Sequence, residues 1–167
     1  MLASKIRPAT ISDVPSIVKI RVGAVTDEDL SEFGVPEDNL YASITKLREM
    51  WDFGNRLKDG FEVFVVEEQG KVVGFIVFNM KGDDNIDNIV VAKSEQGKGV
   101  GRALVEFVEG IAMSRGFSVL KTDTTESAQG VPWKAYGFWR KMGYEDKGVR
   151  LSTEYGFKVI PLTKNLQ

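Results

Sequence analysis

Two alternating apolar runs in the middle of the chain, FEVFVVEE and KVVGFIVFNMK, flank the turn residues Gln69 and Gly70. Alternation on both sides of a two-residue turn predicts a β-hairpin. Upstream, SKIRP (4–8) reads as a short strand. The next run, TISDVPSIVKIRVGAV, reads as a helix capped by Ser12 that carries Val14, Ile17, Val18 and Val22 on one face. An acidic, turn-rich stretch, VTDEDLSEFGVPED, separates it from a second predicted helix, with Leu40, Ile44, Leu47, Met50 and Trp51 at helical spacing before Gly54.

After the hairpin, NIDNIVVA reads as a strand. From Gly99 the period changes: Val100, Ala103, Leu104, Phe107, Val108, Ile111 and Ala112 form one stripe of an amphipathic helix that closes near Gly116. FSVLKTDTT is then a strand. PWKAYGFWRKMGYE is a shorter helix, with Pro132 in its first turn and Gly143 at its end. YEDKGVRLS and YGFKVIPLT close the chain as two runs able to pair. The order β-α-α-β-β-β-α-β-α-β-β predicts one mixed sheet flanked by helices, with a right-handed strand-helix-strand crossover at its centre. The fold class is α/β (α+β), in a single domain over residues 1–167.

Composition narrows the chemistry mainly by what is missing. The 167 residues include no cysteine and no histidine. Disulfides, thiolate nucleophiles, cysteine metal sites and serine–histidine or cysteine–histidine mechanisms are therefore excluded, and no metal is expected. Acid–base work falls to carboxylates, tyrosine, lysine, water or backbone. A net charge of −2 gives no electrostatic reason to expect nucleic acid or an anionic membrane as partner. With no long apolar run, and MLASKIRPAT turning polar within four residues, the chain reads as soluble and cytoplasmic.

The segment SEQGKGVGRAL (94–104) sets three glycines at alternate positions between a strand and a long helix. Helix N-termini present unpaired N–H groups and about half a positive charge, which makes them anion sites. Lys98 and Arg102 add positive charge where a self-satisfied helix start would carry an acid. The plainer reading of the glycines is a tight turn with close helix–sheet packing, and that of Lys98 and Arg102 is solvated surface charge. The phosphate pattern GxxxxGK[ST] is absent, and GxGxxG fails because Arg102 stands where its third glycine belongs.

What remains, Gln96-Gly97-Lys98-Gly99-Val100-Gly101-Arg102-Ala103 after IVVAKSE, resembles the pyrophosphate-binding motif [RQ]-x-x-G-x-[GA] of the GNAT superfamily of N-acetyltransferases. The resemblance extends in element order from residue 4 to about 162, and AYGFWRKMGYE is similar to the family's helix ending in FYEKLGF. It implies a GNAT-like, mostly antiparallel twisted sheet of about seven strands, with acetyl-CoA as cosubstrate. The N–H groups from Gly97 through Val100 and Gly101 to Arg102 would hold the pyrophosphate, with Gln96 leading the motif. Val90 and Val91 at the strand end would meet the pantetheine arm as an added strand.

The resemblance also implies acetyl transfer to an amine, directly and in a ternary complex. The family's acid, the tyrosine of its FY pair, is replaced here by Trp139 in Phe138-Trp139, and Pro132 stands in place of a common asparagine. Tyr136, one turn earlier, is the substitute, with Tyr144 and Tyr155 as rivals. Asp87 and Asp123 are the candidate bases, in a region that also carries Asp84 and Asn85, with Glu126 behind them. Substrate choice would fall to residues 24–57, where Asp27, Glu28, Asp29, Glu32, Glu37 and Asp38 would suit a cationic amine, polyamine or basic peptide. Those acids read equally as a solvated loop. A second copy of the chain is the other partner considered. A non-catalytic acyl-CoA-binding module and a nucleotide-phosphate binder are the rival functions.

Overall fold

The structure, a computed structural model, describes residues 4–33, 60–81, 85–154 and 156–167. The helix expected over 40–51, together with Glu37, Asp38, Asp84 and Tyr155, lies outside the described residues.

Strand β1 (Lys5–Pro8) pairs with β2 (Glu62–Glu68), which pairs with β3 (Lys71–Phe78) and that with β4 (Ile86–Val91), every step antiparallel. The β2–β3 turn places Gln69 at φ 50° and Gly70 at φ 76°, the left-handed pair that a tight hairpin turn of matching twist demands. Both strands are buried on both faces, so the alternation is less strict than a one-sided sheet would show. Phe64, Val66, Ile76 and Phe78 pack with Val100, Leu104 and Val108 of the long helix on one face. Val63, Val65, Phe75 and Val77 pack with Ile17, Ile20 and Ala24 of the first helix on the other.

That first helix, α1, spans Val14–Ala24. Its buried stripe is Ile17, Ile20 and Ala24, spaced i, i+3 and i+7, while Val18, about 100° round from Ile17, is exposed. The cap is made by Thr10 and Asp13 instead of Ser12: the Thr10 N–H donates to Asp13 Oδ2 at 2.7 Å. The acidic stretch is not wholly a turn. Thr26 and Asp29 form a capping box that opens α2 (Asp27–Glu32).

Beyond β4, α3 (Val100–Ser114) crosses to β5 (Val119–Glu126). A short α4 (Ala135–Lys141) follows, then β6 (Glu145–Asp146), β7 (Leu151–Ser152) and β8 (Lys158–Asn165). Strand β8 lies between β5 on one side and the β6 and β7 fragments on the other. The sheet is thus two four-stranded units rather than one, with eight strands in all among the described residues. Pro132 stands before α4, bridged to Glu126, so the helix begins three residues later than expected. Gly143, at φ 91°, follows the α4 cap as expected.

The two units meet where β4 and β5 begin. Among the described residues, the main-chain hydrogen bond between them runs from the Asn85 N–H to the Lys121 carbonyl at 2.9 Å, and the Thr122 hydroxyl donates to the Ile86 carbonyl at 2.9 Å. Among the described residues β4 forms a ladder with β3 alone, through to Val91 at its far end.

Candidate functional site

The open edge of β4 leads straight into the glycine turn. The Ala92 N–H donates to the Val73 carbonyl at 2.8 Å, which sets the alternation along β4. Ala92 and Val90 turn their peptide groups to β3, and Val91 and Ile89 turn theirs to the gap. Val90 is therefore occupied on its main chain and its side chain is buried with α1. Val91 faces the gap, and its carbonyl accepts from Gln96 Nε2 at 3.0 Å.

Gly97 and Gly99 take φ of 78° and 85°, and a Cβ at either would meet nothing within 4 Å. Their bareness serves backbone conformation and leaves open space above them. Gly99 is the N-cap of the 15-residue α3, whose first turn carries no acid. The first helical bond runs from the Ala103 N–H to the Gly99 carbonyl at 3.0 Å, so the N–H groups of Val100, Gly101 and Arg102 have no partner within the helix. Such a turn fits the oxygens of a pyrophosphate.

The third glycine has another purpose. A Cβ on Gly101 would stand 3.3 Å from Phe138 Cε2 and 3.6 Å from Val91 Cγ2, so this position is bare for packing between α3, α4 and β4. Gly74 in β3 does the same beneath the helix, where a Cβ would meet Val100 Cγ1 at 3.3 Å. Gly74 and Phe138 thus shape the surroundings of the turn, a packing role that the sequence reading assigns to neither. Gly74's signal was a lone glycine inside an apolar strand. Lys98 Nζ pairs with Glu95 at 3.2 Å and Arg102 Nε with Glu106 at 2.8 Å, both at the surface. The Glu106 hydrogen bond raises the Arg102 pKa.

The two candidate bases stand on different strands, Asp87 on β4 and Asp123 on β5. In sequence, each follows directly on a residue of the Thr122–Ile86 contact between the two strands. Asp87 occupies a bulge, the extra residue between the Ile86–Phe78 and Asn88–Val77 pairs. Asp123 lies on the face of β5 opposite the buried Leu120, Thr122 and Thr124.

The tyrosines fall elsewhere. Phe138 and Tyr136 leave α4 about 200° apart, Phe138 toward Gly101 and Tyr136 toward β6. There the Tyr136 hydroxyl donates to Asp146 Oδ2 at 2.9 Å. That hydrogen bond, aided by burial and the carboxylate charge, raises the Tyr136 pKa. Asp146 is held by Arg150 at 2.9 and 3.0 Å and is driven well below the usual carboxylate range, and Arg150 also reaches Glu126 at 3.1 Å. Tyr144 is fully buried, its hydroxyl donating to Glu109 at 3.1 Å, and burial is the main cause of its strongly raised pKa. Trp139 is a core residue, edge-on to Phe138 and Tyr144.

On the acceptor side suggested by the sequence, Asp29 is already paired. Burial alone would raise its pKa, but hydrogen bonds from Lys134 and from Thr26 outweigh that and lower it. Among the described residues, no group of three or more acidic side chains is arranged to hold a metal ion, and no helix is long and apolar enough to cross a membrane.

The sequence profile of the acetyltransferase (GNAT) domain matches residues 59–146, more than half of the chain. Among solved structures, a GCN5-related N-acetyltransferase from Rhodopseudomonas palustris is similar over 99% of this chain and 98% of its own, at 26% identity and a TM-score of 0.74. The PaiA N-acetyltransferase of Thermoplasma acidophilum, solved in complex with coenzyme A, is similar over 95% of this chain and 98% of its own, at 12% identity and a TM-score of 0.73. The ribosomal-protein-S18-alanine N-acetyltransferase of Escherichia coli is similar over 99% and 95%, at 19% identity and a TM-score of 0.67. The last two likenesses speak to the fold alone. Comparison with curated proteins gives no significant match.

Proposed function

The chain belongs to the GNAT acetyltransferase family, and from that premise we propose that it moves the acetyl group of acetyl-CoA directly to a primary amine while both are bound. The observation that carries this reading is the turn at Gly97 and Gly99, open above its glycines and leading into first-turn N–H groups that lack helical partners. In this reading the N–H groups from Gly97 to Arg102 hold the pyrophosphate, while the Lys98 and Arg102 side chains are each paired with a glutamate, Glu95 and Glu106. Val91, with its main chain on the gap side, pairs with the pantetheine amides as an added strand would. Val90 supports that edge by packing beneath it.

Acetyl-CoA supplies an activated acyl carbon. The amine nitrogen attacks it, the C–N bond forms as the C–S bond breaks, the amine proton passes to a carboxylate, and the sulfur leaves as thiolate. We assign the proton to Asp87, the bulged residue of β4, with Asp123 of β5 as the second candidate carboxylate. A thiol with a pKa near 8.5 leaves readily as thiolate and takes its proton from water. Tyr136, with its own proton committed to Asp146, acts here as a positioning residue. No cysteine exists to form an acyl-enzyme on sulfur.

The test is acetyl-CoA titration by calorimetry, followed by free-thiol release with a panel of amines. Saturable binding and amine-dependent release are expected; absence of binding overturns the reading. The engagement of Tyr136 and Tyr144 elsewhere favours one second reading, a non-catalytic acyl-CoA-binding module. Binding without release on any amine would select it.

A further inference from the structure

Asn85, just ahead of β4, is 5% exposed, and every polar group it has is engaged. Toward β5, its N–H donates to the Lys121 carbonyl at 2.9 Å and its side-chain Oδ1 accepts from the Lys121 N–H at 2.9 Å. Toward the end of β3, its carbonyl accepts from the Asn79 N–H at 2.7 Å and its Nδ2 donates to the Asn79 carbonyl at 3.3 Å. A carboxamide sets an acceptor and a donor side by side, which suits an N–H on one flank and a carbonyl on the other. A carboxylate has no donor to offer, and an aliphatic chain has neither group.

The junction is built so that it does not spread. The next contact joins Ile86 to Thr122, so β4 and β5 advance in the same direction here. In a parallel ladder a residue turns its N–H and its carbonyl to the same neighbour. Asn85 instead sends its N–H to β5 and its carbonyl to Asn79. One position on, the Ile86 carbonyl takes the buried Thr122 hydroxyl at 2.9 Å. Side chains from both strands thus fill places that main-chain groups fill in a ladder, and β4 and β5 belong to different sheets.

We propose that Asn85 is a positioning residue for the cofactor. With Thr122 as its second half, its carboxamide clasps β4 to β5 at one end and turns the strands aside from zipping together, which leaves the main chain of β4 toward Val91 for acetyl-CoA. The cofactor's part in this rests on the acetyltransferase reading; the clasp between the sheets does not.

The chain has no cysteine, so spin labels can be placed on each sheet through Lys71→Cys in β3 and Lys158→Cys in β8, both exposed positions. Double electron–electron resonance then reads the spread of distances between the sheets, and calorimetry reads acetyl-CoA affinity in the same proteins. Asn85→Ala is expected to broaden the distance distribution and to raise the acetyl-CoA Kd about tenfold, and the isosteric Thr122→Val to do the same with a rise of about threefold. Ile160→Val, a core substitution in β8, should change neither and separates the clasp from a general loss of stability. An unchanged distribution in Thr122→Val overturns the proposal, even where Asn85→Ala does not fold. A broadened distribution with an unchanged Kd rejects the positioning role and keeps the acetyltransferase reading. Failure of the wild type to bind acetyl-CoA rejects that reading, and the clasp is then judged on the distance distribution alone.

Discussion

The ring edge of Phe138 rests on the bare backbone of Gly101, so close that a methyl group there would stand 3.3 Å from Cε2 and 3.4 Å from Cζ. Alanine is the better helix former by about 1 kcal/mol, and the ring needs to yield only a few tenths of an ångström. Gly101→Ala should therefore stay within about 1 kcal/mol of wild type in urea unfolding. Gly101→Val should lose about 1–3 kcal/mol and weaken acetyl-CoA binding, because it pushes α4 from the first turn of α3. Phe138→Leu should recover part of that loss in the double variant. Simple additivity of the two substitutions would show that the residues are not coupled.

Gly99→Val tests the cradle itself. The substitution strains a residue at φ 85° and fills space that is open within 4 Å. The folded variant should bind acetyl-CoA at least about tenfold more weakly by calorimetry, beyond a stability loss of about 1–2 kcal/mol from the left-handed conformation. Gly110→Ala, in the middle of α3 with nothing within 4 Å, is the control. It should bind normally and gain up to about 1 kcal/mol.

These glycines show what was legible in the sequence and what was not. The turn at Gly97 and Gly99 is a local demand of strand, turn and helix in succession, and the spacing announces it, as it does for the hairpin at Gln69–Gly70. Gly101 reads identically in the sequence, yet its reason is Phe138, a neighbour 37 positions away that no local pattern reveals. The helical period correctly sets Tyr136 and Trp139 on one side of α4. It does not contain the roll of that short helix against β5, which turns Trp139 into the core, Phe138 to Gly101 and Tyr136 to β6. The meeting of β4 and β5 at Asn85 and Lys121 is likewise a contact between residues 36 positions apart that no local pattern reveals.

Asp87→Asn should lower kcat by about a hundredfold or more, the usual scale for a lost general base, and leave the acetyl-CoA Kd unchanged. Asp123→Asn should cost less. The reverse ranking would transfer the base role to Asp123.

Acid stability should report on a site far from the chemistry. Asp13 accepts from Arg7 at 2.8 and 2.9 Å and from the Thr10 N–H, and the Arg7 hydrogen bond does most to lower its pKa from 3.8 to about 2. A carboxylate whose folded pKa lies below its unfolded one stabilises the fold above the unfolded value and loses that contribution as pH falls through the folded one. The contribution, on the order of 1–2 kcal/mol with Arg7 partly exposed, should be complete at neutral pH and fade between about pH 4 and 2. Asp13→Asn should be less stable than wild type at pH 7, with the gap closing over that window in urea titrations. A gap independent of pH would mean that Asp13 acts only as a helix cap.

Tyr136→Phe separates an acid from a positioning residue. If the Tyr136 hydroxyl protonated the leaving sulfur, its loss would slow turnover strongly wherever the thiol is the slower species to form. Its proton is held by Asp146, its pKa is raised, and Asp146 retains Arg150 and the Gly148 N–H at 2.9 Å when the tyrosine hydroxyl is gone. The expected outcome is a kcat within about threefold of wild type across pH, with about 1 kcal/mol lost in unfolding from one charge-assisted hydrogen bond at a half-buried site. Asp146→Asn should be the more damaging change, since it also strips Arg150 of its bidentate partner and loosens the 147–150 turn that joins β6 to β7. A loss of a hundredfold or more in kcat for Tyr136→Phe, at unchanged stability, would return the acid role to Tyr136.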